Sequence, residues 1–123
     1  MSRLSHIAVI LPLTNITSTL NFFVDKLGFR IHFQTEDPLD YAVLKRDSIT
    51  FSLSVVDNPP ALLPNNSAYI FCEDIDSLFK EYQAKGVSFR EPLGTTNYGM
   101  REFVLELPSG HRLAFGQGIS GQG

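Results

Sequence analysis

Apolar residues recur along two stretches of this chain at the spacing of a helix. From Asn15 to Leu27, the residues Ile16, Leu20, Phe23, Val24 and Leu27 draw one stripe down a helical cylinder. Thr14 or Asn15 is placed to cap its start, and Gly28 to end it. From Ile75 to Lys85, the residues Ile75, Leu78, Phe79 and Tyr82 share a face, with Asp74 or Asp76 as candidate cap and Gly86 as the stop. An apolar strand-like run precedes each helix, His6 to Leu11 and Ser67 to Cys72. Short strand-like runs follow each helix: Phe29 to Gln34, Tyr41 to Lys45 and Ile49 to Val56, then Val87 to Arg90, Met100 to Leu107 and Arg112 to Gly116. Asp37-Pro38, Arg46-Asp47-Ser48 and Pro108-Ser109-Gly110 supply turns between them.

The order βαβββ is thus written twice, and Leu27-Gly28-Phe29 is answered by Lys85-Gly86-Val87. This predicts an α+β fold: two βαβββ modules from a paired duplication, forming curved, mostly antiparallel sheets with helices on the outer face. Residues 1–123 read as a single domain, with module 1 at about 4–56 and module 2 at about 67–117. A linker at 57–66 is kept irregular by Pro59, Pro60 and Pro64, and a Gly-rich tail at 118–123 is expected to fray, starting from Gly116.

Alternation assigns the strand faces. Ile49, Phe51, Leu53 and Val55 point toward the helix, whereas Thr50, Ser52 and Ser54 point to the front. In the last strand Leu113 and Phe115 lie behind and Arg112 and Ala114 in front; in the strand from Ser67, the small set Ala68, Ile70 and Cys72 faces the helix and Tyr69 and Phe71 face front. Phe22, Phe23, Phe51, Phe79, Phe103 and Phe115 are assigned to the core. The front, with rings beside hydroxyls, describes the wall of an amphipathic pocket.

Composition narrows the function classes. Hydrophobic residues make up 43% and charged residues 19%, the balance of a globular domain and not of a disordered chain. No apolar run approaches the ~20 residues of a membrane helix, and Met1-Ser2-Arg3 leads into no signal-peptide core, so no membrane contact and a cytoplasmic address are expected. Ten basic residues, scattered against thirteen acidic ones, give a net charge of −3, which argues against nucleic acid and suits a cationic ligand. The single cysteine, Cys72, forms no internal disulfide and reads as a buried thiol. Glu73-Asp74-Ile75-Asp76 reads as helix-start charge, Leu93 to Gly99 as a flexible lid or edge, and His111 as a solvated turn residue.

Within this frame, Phe22-Phe23-Val24-Asp25-Lys26-Leu27-Gly28-Phe29, together with Tyr98-Gly99-Met100-Arg101-Glu102-Phe103 running on to Pro108-Ser109-Gly110, resembles the glyoxalase/bleomycin resistance/dioxygenase superfamily, also called vicinal oxygen chelate proteins. The resemblance spans His6 to Gln117 and is closest to the bleomycin resistance proteins. Its enzymes hold a divalent metal with side chains from the first and last strand of each module. The matching positions are His6, Ser67, Ser52 and Ala114, of which only His6 is a ligand type, and His32 lies away from them. The resemblance therefore implies no metal, no cofactor and no catalytic residue here, with enzymatic activity disfavoured. In the drug-binding relatives, rings line a groove between two chains, and the matching places are Tyr41, Tyr69 with Phe71, and Tyr98.

Together these readings give a candidate ligand-binding set of Tyr41, Ser52, Ser54, Tyr69, Phe71, Tyr98, Glu102 and Arg112. Glu102 either offers an anionic contact to a cationic group or forms an ion pair with Arg112 or Arg101. The implied function is metal-independent sequestration of a cationic, partly aromatic small molecule by a homodimer. The alternatives are a metal-dependent enzyme of the superfamily (lyase, dioxygenase or thiol transferase) with an atypical site, and a member whose ligand is unrelated to any drug.

Overall fold

In the computed structural model, which describes residues 1–119, both helical stripes pack on sheets. The elements follow the order β1 (Val9–Leu13), α1 (Ile16–Asp25), β2 (Arg30–Gln34), β3 (Tyr41–Arg46), β4 (Ile49–Val55), then β5 (Ala68–Phe71), α2 (Ile75–Ala84), β6 (Phe89–Thr95), β7 (Met100–Glu106) and β8 (Arg112–Gly118). Each half forms a four-stranded sheet, ordered β1-β4-β3-β2 and β5-β8-β7-β6. In both, the first strand runs parallel to the last and the other pairings are antiparallel. This is the duplicated βαβββ plan. The chain divides into two compact units between Ala61 and Leu62, inside the Pro-rich linker. Among the described residues no helix is long and apolar enough to cross a membrane.

The first unit is built around three rings. Phe23 from α1 lies 5.1 Å from Phe29 and 5.2 Å from Phe51 of β4, centroid to centroid, with Leu20, Leu27, Leu44 and Leu53 buried beside them. In the second unit Tyr82 of α2 meets Phe103 and Phe115, themselves stacked at 5.1 Å, while Phe79 packs on Phe89. Gly28 and Gly86 end the helices at φ 77° and 79°, a conformation that glycine adopts without strain. Asp74 is the α2 cap, accepting from the Ser77 amide; Asn15 occupies the α1 cap without a side-chain bond.

Several expectations are corrected at the edges. β1 begins at Val9 and runs through Pro12 to Leu13, leaving His6 outside it; Pro12 is accommodated because β1 is an edge strand. Likewise β6 extends to Thr95 across Pro92 and Gly94, through two register shifts on the other edge. Of the two expectations for Leu93–Gly99, a lid or an edge, the edge describes it: the segment is edge strand as far as Thr95 and then a tight turn, in which the Thr96 amide donates to the Met100 carbonyl at 2.7 Å. Val24, placed on the buried stripe, is 37% exposed. Fraying from Gly116 is also overturned, since β8 continues to Gly118 and Gly116 is buried; the rest of the expected tail, from residue 120, lies outside the described residues.

His111 departs furthest from expectation, being only 4% exposed instead of solvated. Its Nδ1 lies 2.7 Å from the Ser109 hydroxyl, and its Nε2 has no partner among the described residues. The turn folds back on itself, with the Leu107 amide donating to the His111 carbonyl, which carries the ring inward. Burial pushes the imidazole pKa down from its ordinary value. The unfolded chain then binds a proton that the folded chain resists, so stability is flat above about pH 6.5 and falls as pH drops through that value. Urea midpoints measured from about pH 8 to about pH 5 should show this loss, and His111→Leu should remove part of the slope. An unchanged slope in the variant would assign the acid sensitivity to other groups.

Candidate functional site

Strand register builds the front face of the second sheet. Tyr69 is opposite Ala114 and Phe71 opposite Gly116 in the parallel β5–β8 pair, while Glu102 is opposite Gly116 in the antiparallel β7–β8 pair. Residues in register share a face, so Tyr69, Phe71 and Glu102 project together over Gly116. Ile70, between the two rings, is buried on the other side. The absence of a side chain at Gly116 is what admits the Tyr69 ring: a Cβ there would collide with the phenol oxygen and lie 2.6 Å from Cζ.

The Tyr69 hydroxyl donates to Glu102 Oε2 at 2.5 Å, and its ring lies 5.0 Å from Phe71 at 50°. The second Glu102 oxygen, Oε1, accepts from the Tyr98 hydroxyl. Tyr98 is presented by the β6–β7 turn, which Thr96 and Met100 close through main-chain and hydroxyl bonds and which Gly99 completes at φ 85°. Partial burial, then the Glu102 hydrogen bond, push the Tyr69 phenol up; for Tyr98 the Glu102 hydrogen bond is the larger cause. Both phenols stay protonated as donors. Phe71 and Tyr98 are 62% and 61% exposed, so their rings face solvent beside this carboxylate.

The neighbouring cations are paired elsewhere. Arg101, the residue before Glu102, holds both oxygens of Asp76 at the start of α2, its Nη2 2.8 Å from Oδ1, and this contact keeps the Asp76 carboxyl below its ordinary range. Arg112 sits at the far end of β8 with its Nε 3.6 Å from Glu106, which Arg90 also approaches. The expected alternative of a Glu102 ion pair with Arg101 or Arg112 is thus overturned. Arg112 shares the front face but does not join the Glu102 cluster.

In the first unit the Tyr41 hydroxyl donates to Ser52 Oγ at 3.2 Å, Ser54 is opposite Tyr41 in the β3–β4 pair, and Phe33 approaches the Tyr41 ring at 6.5 Å. Ser52 and Thr50 are buried, so this part of the front is more enclosed than a hydroxyl-lined surface. The candidate set therefore falls into two groups: Tyr69, Phe71, Tyr98 and Glu102 in one unit, and Tyr41, Ser52 and Ser54 in the other. Sequence reasoning missed Gly116; continuing the alternation Arg112, Ala114, Gly116 by one step would have found the gap opposite Glu102.

The positions at which the resemblance would place metal ligands can be compared with what the structure holds there. Ser52 is engaged by Tyr41, Ser67 and Ala114 offer no ligand of the required kind, and His6 is exposed ahead of β1 with Nδ1 2.9 Å from the Ser5 hydroxyl. Among the described residues no group of three His, Cys, Asp or Glu side chains is placed to hold a metal ion. The residues do not fit the group. Cys72, its Sγ 3.7 Å from the Gly116 carbonyl, has its thiol pushed up by burial and is poorly suited to act as a thiolate.

Similarity to known proteins follows the same lines. No curated protein matches the chain. Among solved structures, a glyoxalase/bleomycin resistance protein/dioxygenase from Alicyclobacillus acidocaldarius superposes with a TM-score of 0.78 at 21% identity, covering 94% of this chain and 92% of that one. TioX from Micromonospora sp. ML1 gives 0.77 at 20%, covering 94% and 99%. The bleomycin-binding protein from bleomycin-producing Streptomyces verticillus, solved with copper(II)-bleomycin, gives 0.75 at 26%, covering 94% and 97%. The superfamily's sequence model matches residues 3–115. With that match added to the duplicated βαβββ topology, the chain belongs to the glyoxalase/bleomycin resistance protein/dioxygenase superfamily.

Proposed function

We propose that this is a metal-independent small-molecule binding protein, which sequesters a partly aromatic, cationic ligand in a groove at the interface of a homodimer. The observation that carries the reading is Glu102, a carboxylate held by two tyrosine hydroxyls beside the exposed rings of Phe71 and Tyr98, with no cationic side chain paired to it among the described residues. Rings supply stacking worth about 0.5–1.5 kcal/mol per pair beyond burial, and the carboxylate supplies charge complementarity. The 26% identity to a protein that binds copper(II)-bleomycin supports the same class of ligand. Exposed Ile31 and Phe33 on the edge strand β2 support a second copy covering apolar surface.

Titration with metal-free bleomycin tests the reading. The chain has no tryptophan and four tyrosines, three of them Tyr41, Tyr69 and Tyr98, so intrinsic emission reports largely on the candidate groups. Stoichiometric quenching and a rise in melting temperature are expected, with sedimentation as a dimer at micromolar concentration. Tyr98→Ala should weaken binding by roughly 1–3 kcal/mol with little loss of fold stability, because Tyr98 is exposed in a turn. Unchanged affinity in that variant would remove Tyr98 from the site, and a monomer would remove the shared groove.

A further inference from the structure

We propose that the cation favoured at Glu102 is an onium without N–H groups, a quaternary ammonium, and that the face discriminates against primary ammonium. The inference rests on the binding reading above and specifies its ligand. Both Glu102 oxygens are already engaged, Oε2 by Tyr69 at 2.5 Å and Oε1 by Tyr98. A primary ammonium or guanidinium gains much of its affinity by donating N–H bonds to carboxylate oxygens. Here two of the carboxylate's roughly four acceptor sites are taken by phenols, one held over Gly116 and one in the turn that Thr96 closes, so such a cation finds fewer partners than at a bare carboxylate.

A methylated onium needs no acceptor. It responds to negative charge and to aromatic rings, and both are present: a carboxylate bonded by the Tyr69 and Tyr98 hydroxyls, with the Phe71 ring 5.0 Å from that of Tyr69 and exposed on the same face. Arg101 and Arg112, the nearest basic side chains along β7 and β8, are committed to Asp76 and Glu106, so neither neutralises Glu102. Charge with half of its acceptor sites already taken, bordered by aromatic rings, favours a weakly hydrated cation over one that must be solvated through its hydrogens.

Choline and ethanolamine differ only in methylation of the nitrogen, and their titration into the full chain, followed by NMR, tests the assignment. Choline is expected to bind about threefold or more tightly than ethanolamine. Phe71→Ala and Glu102→Gln should each abolish the difference. Tyr98→Phe keeps the ring but frees one carboxylate oxygen, and should improve ethanolamine relative to choline, an effect that loss of packing would not produce. Thermal melts verify that each variant folds. Equal affinities in the unmodified chain, tighter ethanolamine, or no choline binding would each overturn the onium assignment. The bleomycin titration run alongside separates the two levels: quenching by bleomycin without choline preference defeats this inference alone, and no response to any of the ligands defeats the binding reading with it.

Discussion

Replacing Phe51 with Ala is expected to cost ~3–5 kcal/mol of stability, the range for emptying a large aromatic from a packed core. The ring is fully buried, 5.2 Å from Phe23 of α1 and 5.8 Å from Phe29 in the link to β2, so its removal leaves a hole between α1 and β4 that these neighbours must move to fill. Against a total stability of about 5–15 kcal/mol for a domain, that loss is a large fraction. Urea denaturation of the two proteins measures it as a shift in midpoint at constant slope. A cost below about 1 kcal/mol would mean that the three-ring cluster collapses onto the hole without strain. Set beside Tyr98→Ala, the comparison separates core from site; equal losses of folding would place Tyr98 in the core.

The other large effect is expected from one added methyl group. Gly116→Ala places a Cβ where the Tyr69 phenol lies, and the ring must swing away, breaking its bond to Glu102. The backbone of β8 accepts alanine without strain, because Gly116 is not among the residues at positive φ. The variant should therefore fold while losing a ring from the ligand face together with a hydrogen bond to a charged group, about 3 kcal/mol in all or about a hundredfold in affinity. Bleomycin titration with a parallel melt checks both halves of this expectation. Full affinity in a folded Gly116→Ala protein would show that Tyr69 takes no part in binding; loss of the fold would show that Gly116 is there for packing.

Much of the architecture was legible along the chain. The stripes of Leu20, Phe23 and Leu27 and of Ile75 and Tyr82 repeat at helical spacing because one face of each helix must leave water, and that demand is met residue by residue. Alternation in β5 separated buried Ile70 from Tyr69 and Phe71 for the same reason at period two, whereas in β4 Ser52 is buried like Phe51 and Leu53, so there alternation marked the face and not the exposure. The glycines after each helix and the prolines of the linker mark boundaries because their backbone preferences are local. These features depend on what a residue is and on its near neighbours, so the sequence by itself determined them.

The partners of Glu102, the burial of His111 and the reach of β1 and β6 were not legible, and each for a nameable reason. Tyr69 and Glu102 are 33 positions apart and meet only because β8 lies between their strands in one register. A one-residue slip would turn them to opposite faces. Pro12 and Pro92 look like strand breakers until the topology puts their strands at sheet edges, where a missing amide costs no pairing. Arg101 and Arg112, equally plausible partners for Glu102 along the chain, were claimed by Asp76 on α2 and Glu106 across the hairpin. The sequence by itself determined which faces are apolar and where the elements turn; only the tertiary structure decided which polar groups meet, because that depends on register between strands far apart in the chain.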